Sequence, residues 1–233
     1  MCGRYNLRTN LHQVAEFFSV LRGMEEVAGI PPRSNTAPTQ TVVCIRDPGE
    51  AAGREFFAAR WGLIPGWAKD AKIGSQCIMA RAETVDSKPA FRAAFKRRRC
   101  LMIADGFYEW REEDKQPLYV SLKSGQPFAF AAMWEIWESP EGEVQSCALC
   151  TTTANSLMAT FSDRMPVILP QAVHSQWLNP DVTDAGQLKP LLAQYPAEEM
   201  QVWPVSKRVG NVRNEGPDLI EPMAAQVTLA FPD

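Results

Sequence analysis

Phe128-Ala129-Phe130-Ala131-Ala132-Met133-Trp134 is an apolar run that predicts a buried strand, and a second strand-like run precedes it at Leu118–Leu122. Between the two, Ser124-Gly125 is a turn signal typical of a β-hairpin. Two further strand-like runs lie upstream, at Cys100–Ala104 and Phe107–Arg111. Strands that follow one another through short turns predict an antiparallel sheet at the centre of the fold.

The rest of the chain adds strands and helices around this sheet. Further strands are predicted at Thr41–Arg46, Arg54–Leu63, Val144–Thr153, Val167–Leu169 and Met200–Val205. A helix is predicted behind the possible cap Thr9-Asn10, ending at Gly23, from the helical spacing of Leu11, Val14, Phe17, Phe18 and Leu21. Other helices are predicted at Lys88–Lys96, Gln171–Leu178 and Ala185–Gln194. This irregular order predicts an α+β fold: a curved, mainly antiparallel β-sheet or barrel with peripheral helices.

Composition predicts one globular domain, at residues 1–222, followed by a C-terminal tail at 223–233. The chain has 233 residues, of which 45% are hydrophobic and 22% charged, so a sizeable core can form. The net charge of −3 argues against a surface coated by nucleic acid, so any polyanion site must be a local basic patch. No apolar run approaches the roughly 18 residues that span a bilayer, and the first residues lack a signal-peptide pattern. We therefore expect a cytoplasmic monomer without membrane contact.

The cysteines and histidines limit the possible chemistry. The chain has six cysteines, mostly inside apolar runs, as expected of reduced thiols in a cytosolic protein. Cys147 and Cys150 form a CxxC pattern, but in a strand their side chains face opposite sides, and no second ligand pair completes a zinc site. His12 and His174 are the only histidines, so a Ser-His-Asp triad or a multi-histidine metal centre is not expected. Catalysis would depend on cysteine and carboxylate.

Cys2 has unusual chemistry if Met1 is removed, because it then carries an α-amine and a thiol on adjacent carbons. Their ordinary pKa values, roughly 7.7–8.0 and 8.5, leave a share of each reactive near neutral pH. Such an aminothiol condenses with an aldehyde to an imine, and the thiol then closes a five-membered thiazolidine. An internal cysteine cannot form that ring. The alternative is that Cys2 is inert, as most second-position cysteines are.

Glu109 is the carboxylate of greatest interest because it lies between large aromatic residues, in Asp105-Gly106-Phe107-Tyr108-Glu109-Trp110. Partial burial there would raise its pKa, so that it could act as a general acid and base near neutral pH. The alternative is that Glu109 alternates to the solvent face of its strand.

Cations and aromatic residues are interleaved as single-stranded nucleic acid binding requires, with cations along the phosphates and rings against unstacked bases. The cations are Arg4, Arg81, Arg92, Arg97, Arg98 and Arg99, and the stacking surfaces are Trp61, Trp67 and Phe91. The loop at 205–214 adds a basic segment in which Gly210 permits close backbone approach to a group such as a phosphate. The alternative for the run at Lys96–Arg99 is a solvated charged face.

Seven short blocks, in order and spacing, resemble the SRAP family. These are Met1-Cys2-Gly3-Arg4-Tyr5, Ser34-Asn35-Thr36-Ala37-Pro38, Trp61-Gly62-Leu63-Ile64-Pro65, Ala80-Arg81-Ala82-Glu83-Thr84, Asp105-Gly106-Phe107-Tyr108-Glu109-Trp110, Asp163-Arg164-Met165-Pro166 and Val209-Gly210-Asn211-Val212-Arg213-Asn214. They extend from residue 1 to near residue 222. The resemblance implies a single SRAP domain, of the abasic-site processing proteins once called SOS-response-associated peptidases.

In that family the initiator methionine is removed, and the exposed cysteine traps the ring-opened abasic site of single-stranded DNA as a thiazolidine crosslink. The resemblance implies that Cys2 is the nucleophile and Glu109 the acid–base group. It implies DNA contacts at Arg4, Asn35, Trp67, Arg81 and Arg213, with Arg4 and Arg81 on phosphates and Trp67 in a loop that wedges against bases. No metal or organic cofactor is implied, and the expected partner is single-stranded DNA with abasic sites.

Two positions depart from the family pattern. Met79 stands where asparagine is usual, and Ser162 stands where histidine is usual. Methionine cannot replace the donors of an amide, and a serine hydroxyl does not exchange protons near pH 7 as imidazole does. Two other functions stay open on the sequence: a cysteine-dependent peptidase acting at least on Met1, and a non-covalent reader of damaged or modified bases.

Overall fold

The computed structural model describes residues 3–49, 52–139 and 141–223. Cys2 and the predicted tail beyond residue 223 lie outside the described residues. The strands are β1 (Arg4–Leu7), β2 (Val20–Arg22), β3 (Arg33–Thr36), β4 (Thr41–Arg46), β5 (Arg54–Trp61), β6 (Met79–Arg81), β7 (Arg99–Ala104), β8 (Gly106–Trp110), β9 (Pro117–Leu122), β10 (Phe128–Ser139), β11 (Gly142–Thr153), β12 (Arg164–Pro166), β13 (Ile168–Leu169) and β14 (Met200–Pro204). The α-helices are α1 (Leu11–Phe18), α2 (Met24–Val27), α3 (Arg92–Arg97), α4 (His174–Leu178) and α5 (Ala185–Leu188). The 3-10 helices are Ala71–Gln76, Met158–Thr160, Gln171–Val173, Lys189–Leu191, Ala197–Glu199, Lys207–Gly210 and Pro217–Ile220.

The larger sheet closes into a barrel. Its strands pair in the order β11-β10-β7-β4-β5, and β5 pairs back onto β11 in parallel through Arg60 and Ser146. All residues of β7 and the first six of β10 are buried, and apart from Arg99 they supply apolar side chains to the core. The other pairs of this ring are antiparallel. The predicted α+β class, with a mainly antiparallel barrel and peripheral helices, is confirmed.

The smaller sheet has the order β14-β9-β8-β1-β3. β1 lies in the interior of this sheet, between β8 and β3. Arg4 is opposite Tyr108 of β8, and Tyr5 is opposite Thr36 of β3. The ring of Tyr5 packs on Trp61 of the barrel with centroids 5.6 Å apart. β1 is thereby held inside the smaller sheet and packs on the barrel through Tyr5.

The predicted hairpin between β9 and β10 is wrong. β9 pairs with β8 and β14, whereas β10 pairs with β7, β11 and β13. The turn at Ser124-Gly125, where Gly125 has a φ of 67°, therefore carries the chain from one sheet to the other. A turn signal indicates where a strand ends, but not which strand becomes its neighbour.

The first helix is shorter than predicted. It ends at Phe18 because Ser19 adopts the left-handed conformation at its C-cap, with a φ of 54°. The chain then enters β2, which pairs with β5, and Leu21 is 76% exposed instead of lying on a buried helix face. At the other end, Asn10 caps the helix as predicted, accepting a hydrogen bond from the His12 N–H at 2.8 Å. None of the helices in the described ranges is long and apolar enough to cross a membrane.

Candidate functional site

The site forms where β1 begins and β8 ends. Arg4 lies opposite Tyr108 in an antiparallel pair, so the chain that precedes Arg4 runs toward Glu109. Cys2, the predicted nucleophile, is outside the described residues. The described residue Gly3 precedes β1 at the same end of the sheet as Glu109.

Glu109 is buried, with 2% of its surface exposed, although it is a carboxylate. Burial raises its pKa above the ordinary value, and the nearby negative charge of Asp163 raises it further. Against these effects, the Trp110 N–H donates a hydrogen bond to Oε1 at 3.3 Å, which favours the ionised form. The alternative of a solvent-facing Glu109 is wrong. A buried carboxyl group whose pKa is raised holds its proton to a higher pH than an exposed one, which a general acid requires.

Arg4 and Asn35 together anchor the loop at 205–214. The Arg4 guanidinium donates to Asn35 Oδ1 at 2.8 Å and to the carbonyl of Val209 at 2.9 Å. The Asn35 amide donates to the carbonyls of Val209, Asn211 and Asn214 at 3.0–3.1 Å. Asn35 is fully buried, whereas Arg4 is partly exposed and its guanidinium lies 5.9 Å from the Trp110 ring centroid. This placement gives Asn35 a supporting position behind Arg4.

Two other predicted DNA contacts are on the surface. Arg213 is exposed in the loop at 205–214, where its backbone N–H donates to the Asn211 side-chain oxygen at 3.0 Å. Arg81 is exposed at the end of β6, which pairs in parallel with β11. Both side chains are thus accessible to a phosphate, although they come from distant parts of the sequence.

Trp67 is 62% exposed, in a loop whose backbone is held from both sides. The Trp137 indole N–H donates to the carbonyl of Ala68 at 2.7 Å. Before the loop, Gly62 packs so closely on the 3-10 helix Ala71–Gln76 that a Cβ at Gly74 would lie 2.6 Å from the Gly62 oxygen. The Trp67 ring is therefore exposed to solvent on a loop whose backbone is fixed. The predicted stacking surface of Trp61 is wrong, because this ring is fully buried and its N–H donates to Ile78.

The two positions that depart from the family pattern both lie among the described residues. Met79 is half-buried at the start of β6, opposite Leu149 of β11. Ser162 donates from its hydroxyl to the carbonyl of Arg164 at 2.9 Å. Ser162 and Asp163 line a cavity of about 390 Å³ together with Glu113, so this position opens to solvent.

Arg164 and Glu83 join two of the sequence blocks, a contact that sequence reasoning missed. The guanidinium donates two parallel hydrogen bonds to the Glu83 carboxylate, at 2.6 and 3.0 Å, and a third to the carbonyl of Thr151 at 2.8 Å. The Arg164 guanidinium lowers the pKa of Glu83, which keeps the carboxylate ionised. Each residue lies inside a quoted block, but nothing in the sequence indicates that the blocks meet.

The basic run at Lys96–Arg99 is only partly available to a ligand. Arg99 is 2% exposed, and its guanidinium donates to five backbone carbonyls; the acceptors are Phe95, Lys96, Trp177, Asn179 and Val182. Arg98 forms an ion pair with Glu135 at 2.6 Å. The prediction that Arg99 faces nucleic acid is therefore wrong, and Arg97 is the exposed arginine of this run.

The CxxC cysteines are both buried in β11. The sulfur of Cys147 lies 3.9 Å from that of Cys44 in β4, and burial raises the pKa of the Cys150 thiol. Within residues 3–49, 52–139 and 141–223, no three His, Cys, Asp or Glu side chains are placed to hold a metal ion.

The chain is similar to known proteins over most of its length. The family model for SOS response associated peptidase (SRAP) matches residues 1–212. The abasic site processing protein YoqW of Bacillus subtilis is 42% identical over 225 residues, covering 95% of this chain and 99% of the relative. The abasic site processing protein HMCES of Xenopus tropicalis is 30% identical, covering 80% of this chain and 63% of the relative. A crystal structure of a Bacteroides thetaiotaomicron protein superposes with a TM-score of 0.85 at 23% identity, covering 96% and 100% of the two chains, which shows the fold.

Proposed function

Because this chain belongs to the SOS response associated peptidase (SRAP) family, we propose that it processes abasic sites in DNA as part of the response to DNA damage. Two relatives of similar sequence are named abasic site processing proteins, and they come from a bacterium and a vertebrate. The finer proposal is that the protein binds single-stranded DNA and attaches itself to the abasic site through Cys2. This attachment shields the site.

The proposed reaction needs the free α-amine and thiol of Cys2, and so it follows removal of Met1. The amine attacks the C1′ aldehyde of the ring-opened sugar and forms a carbinolamine. Loss of water from the carbinolamine gives an imine. The thiol then adds to the imine carbon, with proton transfer to nitrogen, and closes the thiazolidine. The net result is one molecule of water released for each crosslink.

Glu109 is proposed to move the protons in these steps. It protonates the leaving hydroxyl of the carbinolamine and removes a proton from the attacking groups. The observation that carries this proposal is the burial of Glu109 beside the start of β1, with its raised pKa. General acid–base catalysis is most effective when the pKa of the group is near the working pH.

The proposed DNA path uses the exposed side chains, with Trp67 stacking on bases and Arg81 and Arg213 contacting phosphates. Arg4 is proposed to contact the phosphate next to the abasic site, supported from behind by Asn35. The protein is proposed to act as a monomer.

The decisive experiment is intact-protein mass spectrometry before and after incubation with a single-stranded oligonucleotide that bears one abasic site. We expect loss of Met1, followed by a heat-stable adduct that is absent in Cys2→Ala. Glu109→Gln should form the adduct more slowly, by about 10²-fold or more. Glu143→Gln, which changes an exposed carboxylate at the start of β11, should match the wild type.

Two results would replace the proposal. A processed Cys2 terminus that yields no adduct, with tight binding that survives Cys2→Ala, would indicate a non-covalent reader of damaged bases. The replacements Met79 and Ser162 are the observation that favours this second candidate. Cleavage of added peptides in place of an adduct would indicate a cysteine peptidase.

A further inference from the structure

A second cavity, of about 300 Å³, lies between β1, β3, β4 and the helices α1 and α2. Its walls are mostly apolar and include Leu7, Leu11, Met24, Ile30, Val42 and Val43. None of Arg4, Asn35 and Glu109 lines it. The cavity is therefore distinct from the described part of the candidate site.

The hydroxyl of Tyr5 reaches this cavity without a partner. Tyr5 is 2% exposed and lines the cavity, and its hydroxyl makes no hydrogen bond with any residue in the described ranges. By contrast, the buried hydroxyls of Tyr108 and Tyr119 donate to Ser34 and Asn6. A phenol hydroxyl that has no acceptor among the described residues can donate to a group that enters the cavity.

Arg33 is a second polar group of the same cavity without a partner. Its Nε is buried and has no hydrogen-bond partner among the described residues. Arg33 of β3 lies opposite Leu7 of β1, two residues after Tyr5, and both Arg33 and Tyr5 line the cavity, so both can face one ligand. A guanidinium and a phenol can both donate to a single anionic group, and the guanidinium fork matches a carboxylate.

We propose that this cavity binds a small amphipathic carboxylate, with an apolar body against the walls and its carboxylate on Arg33 and Tyr5. The volume is at the lower end of the range of about 300–1,000 Å³ found for ligand pockets, which fits a single ring or a short branched chain. A doubly charged phosphate fits less well because Arg33 is the one arginine or lysine that lines the cavity.

The test compares 3-phenylpropanoate with its neutral amide in calorimetric titrations of the full-length protein. We expect the carboxylate to bind at least about tenfold more tightly, the effect of one charge-assisted hydrogen bond. Arg33→Met should abolish this preference, and Tyr5→Phe should weaken carboxylate binding by about fivefold. Arg22→Met removes an exposed arginine outside the cavity and should leave the preference for the carboxylate unchanged. The ligand should also shift the NMR signal of the Met24 methyl group.

The comparison of acid and amide on the wild-type protein keeps the test valid even if Arg33→Met fails to fold. Equal affinities for the two compounds would overturn the proposal, as would the absence of saturation below about 10 mM. A shift of methyl signals outside the cavity, with Met24 unaffected, would also overturn it.

Discussion

The guanidinium of Arg4 donates to the buried amide oxygen of Asn35 at 2.8 Å, and the Asn35 amide nitrogen in turn donates to carbonyls of the loop at 205–214. One side chain thus orients an arginine at the site and fixes a distant loop. Asn35→Ala should lower the free energy of unfolding by about 1–3 kcal/mol, because buried carbonyls lose their donors. Chemical denaturation measures this loss, with Gln13→Ala on the exposed side of α1 as the control. A loss equal to that of the control would contradict the supporting role.

Glu109 should make the stability of the protein depend on pH. Its pKa is raised in the folded state, so the folded protein holds this proton more tightly than the unfolded chain does. The stability from Glu109 is fully present below the ordinary glutamate pKa of about 4.3, and it is lost as pH rises through the raised value. Glu109→Gln should remove this part of the pH dependence, measured by denaturation between about pH 4 and 8. Unchanged pH profiles in the variant would show that burial does not shift this group.

Trp67 should contribute to DNA binding without contributing to stability. Stacking of a base on an aromatic side chain is worth about 1–3 kcal/mol, so Trp67→Ala should weaken binding to single-stranded DNA by about 5- to 150-fold. The midpoint of unfolding of the Trp67→Ala variant should stay close to that of the wild type, since the ring is 62% exposed. Leu21→Ala, at an equally exposed apolar residue outside the site, is the matched control in fluorescence anisotropy. Equal affinities for the two variants would remove Trp67 from the DNA path.

Ser162 should make reversal of the crosslink slow. A serine hydroxyl does not titrate near pH 7, whereas an imidazole with a pKa of about 6.5 would transfer protons during ring opening. Ser162→His should therefore release crosslinked DNA faster than the wild type, in an assay that follows transfer of the adduct to fresh DNA. Ser162→Asn adds hydrogen-bonding groups without titration and should remain slow. Equal release rates for the histidine variant and the wild type would refute this role.

Arg99 and Arg97 are two arginines of one basic run, and they should behave differently. Arg99→Met removes the donors of five carbonyls and should cost at least about 3 kcal/mol of stability. Arg97→Met changes an exposed side chain and should alter stability by no more than about 0.5 kcal/mol. Thermal and chemical denaturation of both variants gives the comparison. Similar losses would mean that the carbonyl contacts of Arg99 contribute little.

The contrast between Arg97 and Arg99 also shows what the sequence could predict. Local patterns located most strands, the cap at Asn10 and the class of the fold, because alternation and capping are properties of neighbouring residues. Burial of Arg99 could not be predicted, since its acceptors include carbonyls near residue 180. The same holds for the fully buried Trp61 and for the partner of β10, which depend on contacts between distant segments.

The candidate site likewise has features that local sequence predicts and features that depend on contacts between distant segments. The sequence blocks and the aromatic neighbours of Glu109 predict that this residue belongs to the site and that burial raises its pKa. The pairing of β1 with β8 could not be predicted from local pattern, nor could the contact between Arg164 and Glu83. Asn35 was predicted as a DNA contact from its block alone, and its burial behind Arg4 became visible only with the fold.

The position of β1 inside the smaller sheet has a consequence during protein synthesis. Its partner β8 is translated about 100 residues later, which takes about 5–20 s at about 5–20 residues per second. During that interval β1 has no β8 to pair with, so this part of the smaller sheet cannot yet form. Under the proposed function, trimming of Met1 would take place in this interval. The order of translation would then expose the nucleophile before the folded sheet encloses its surroundings.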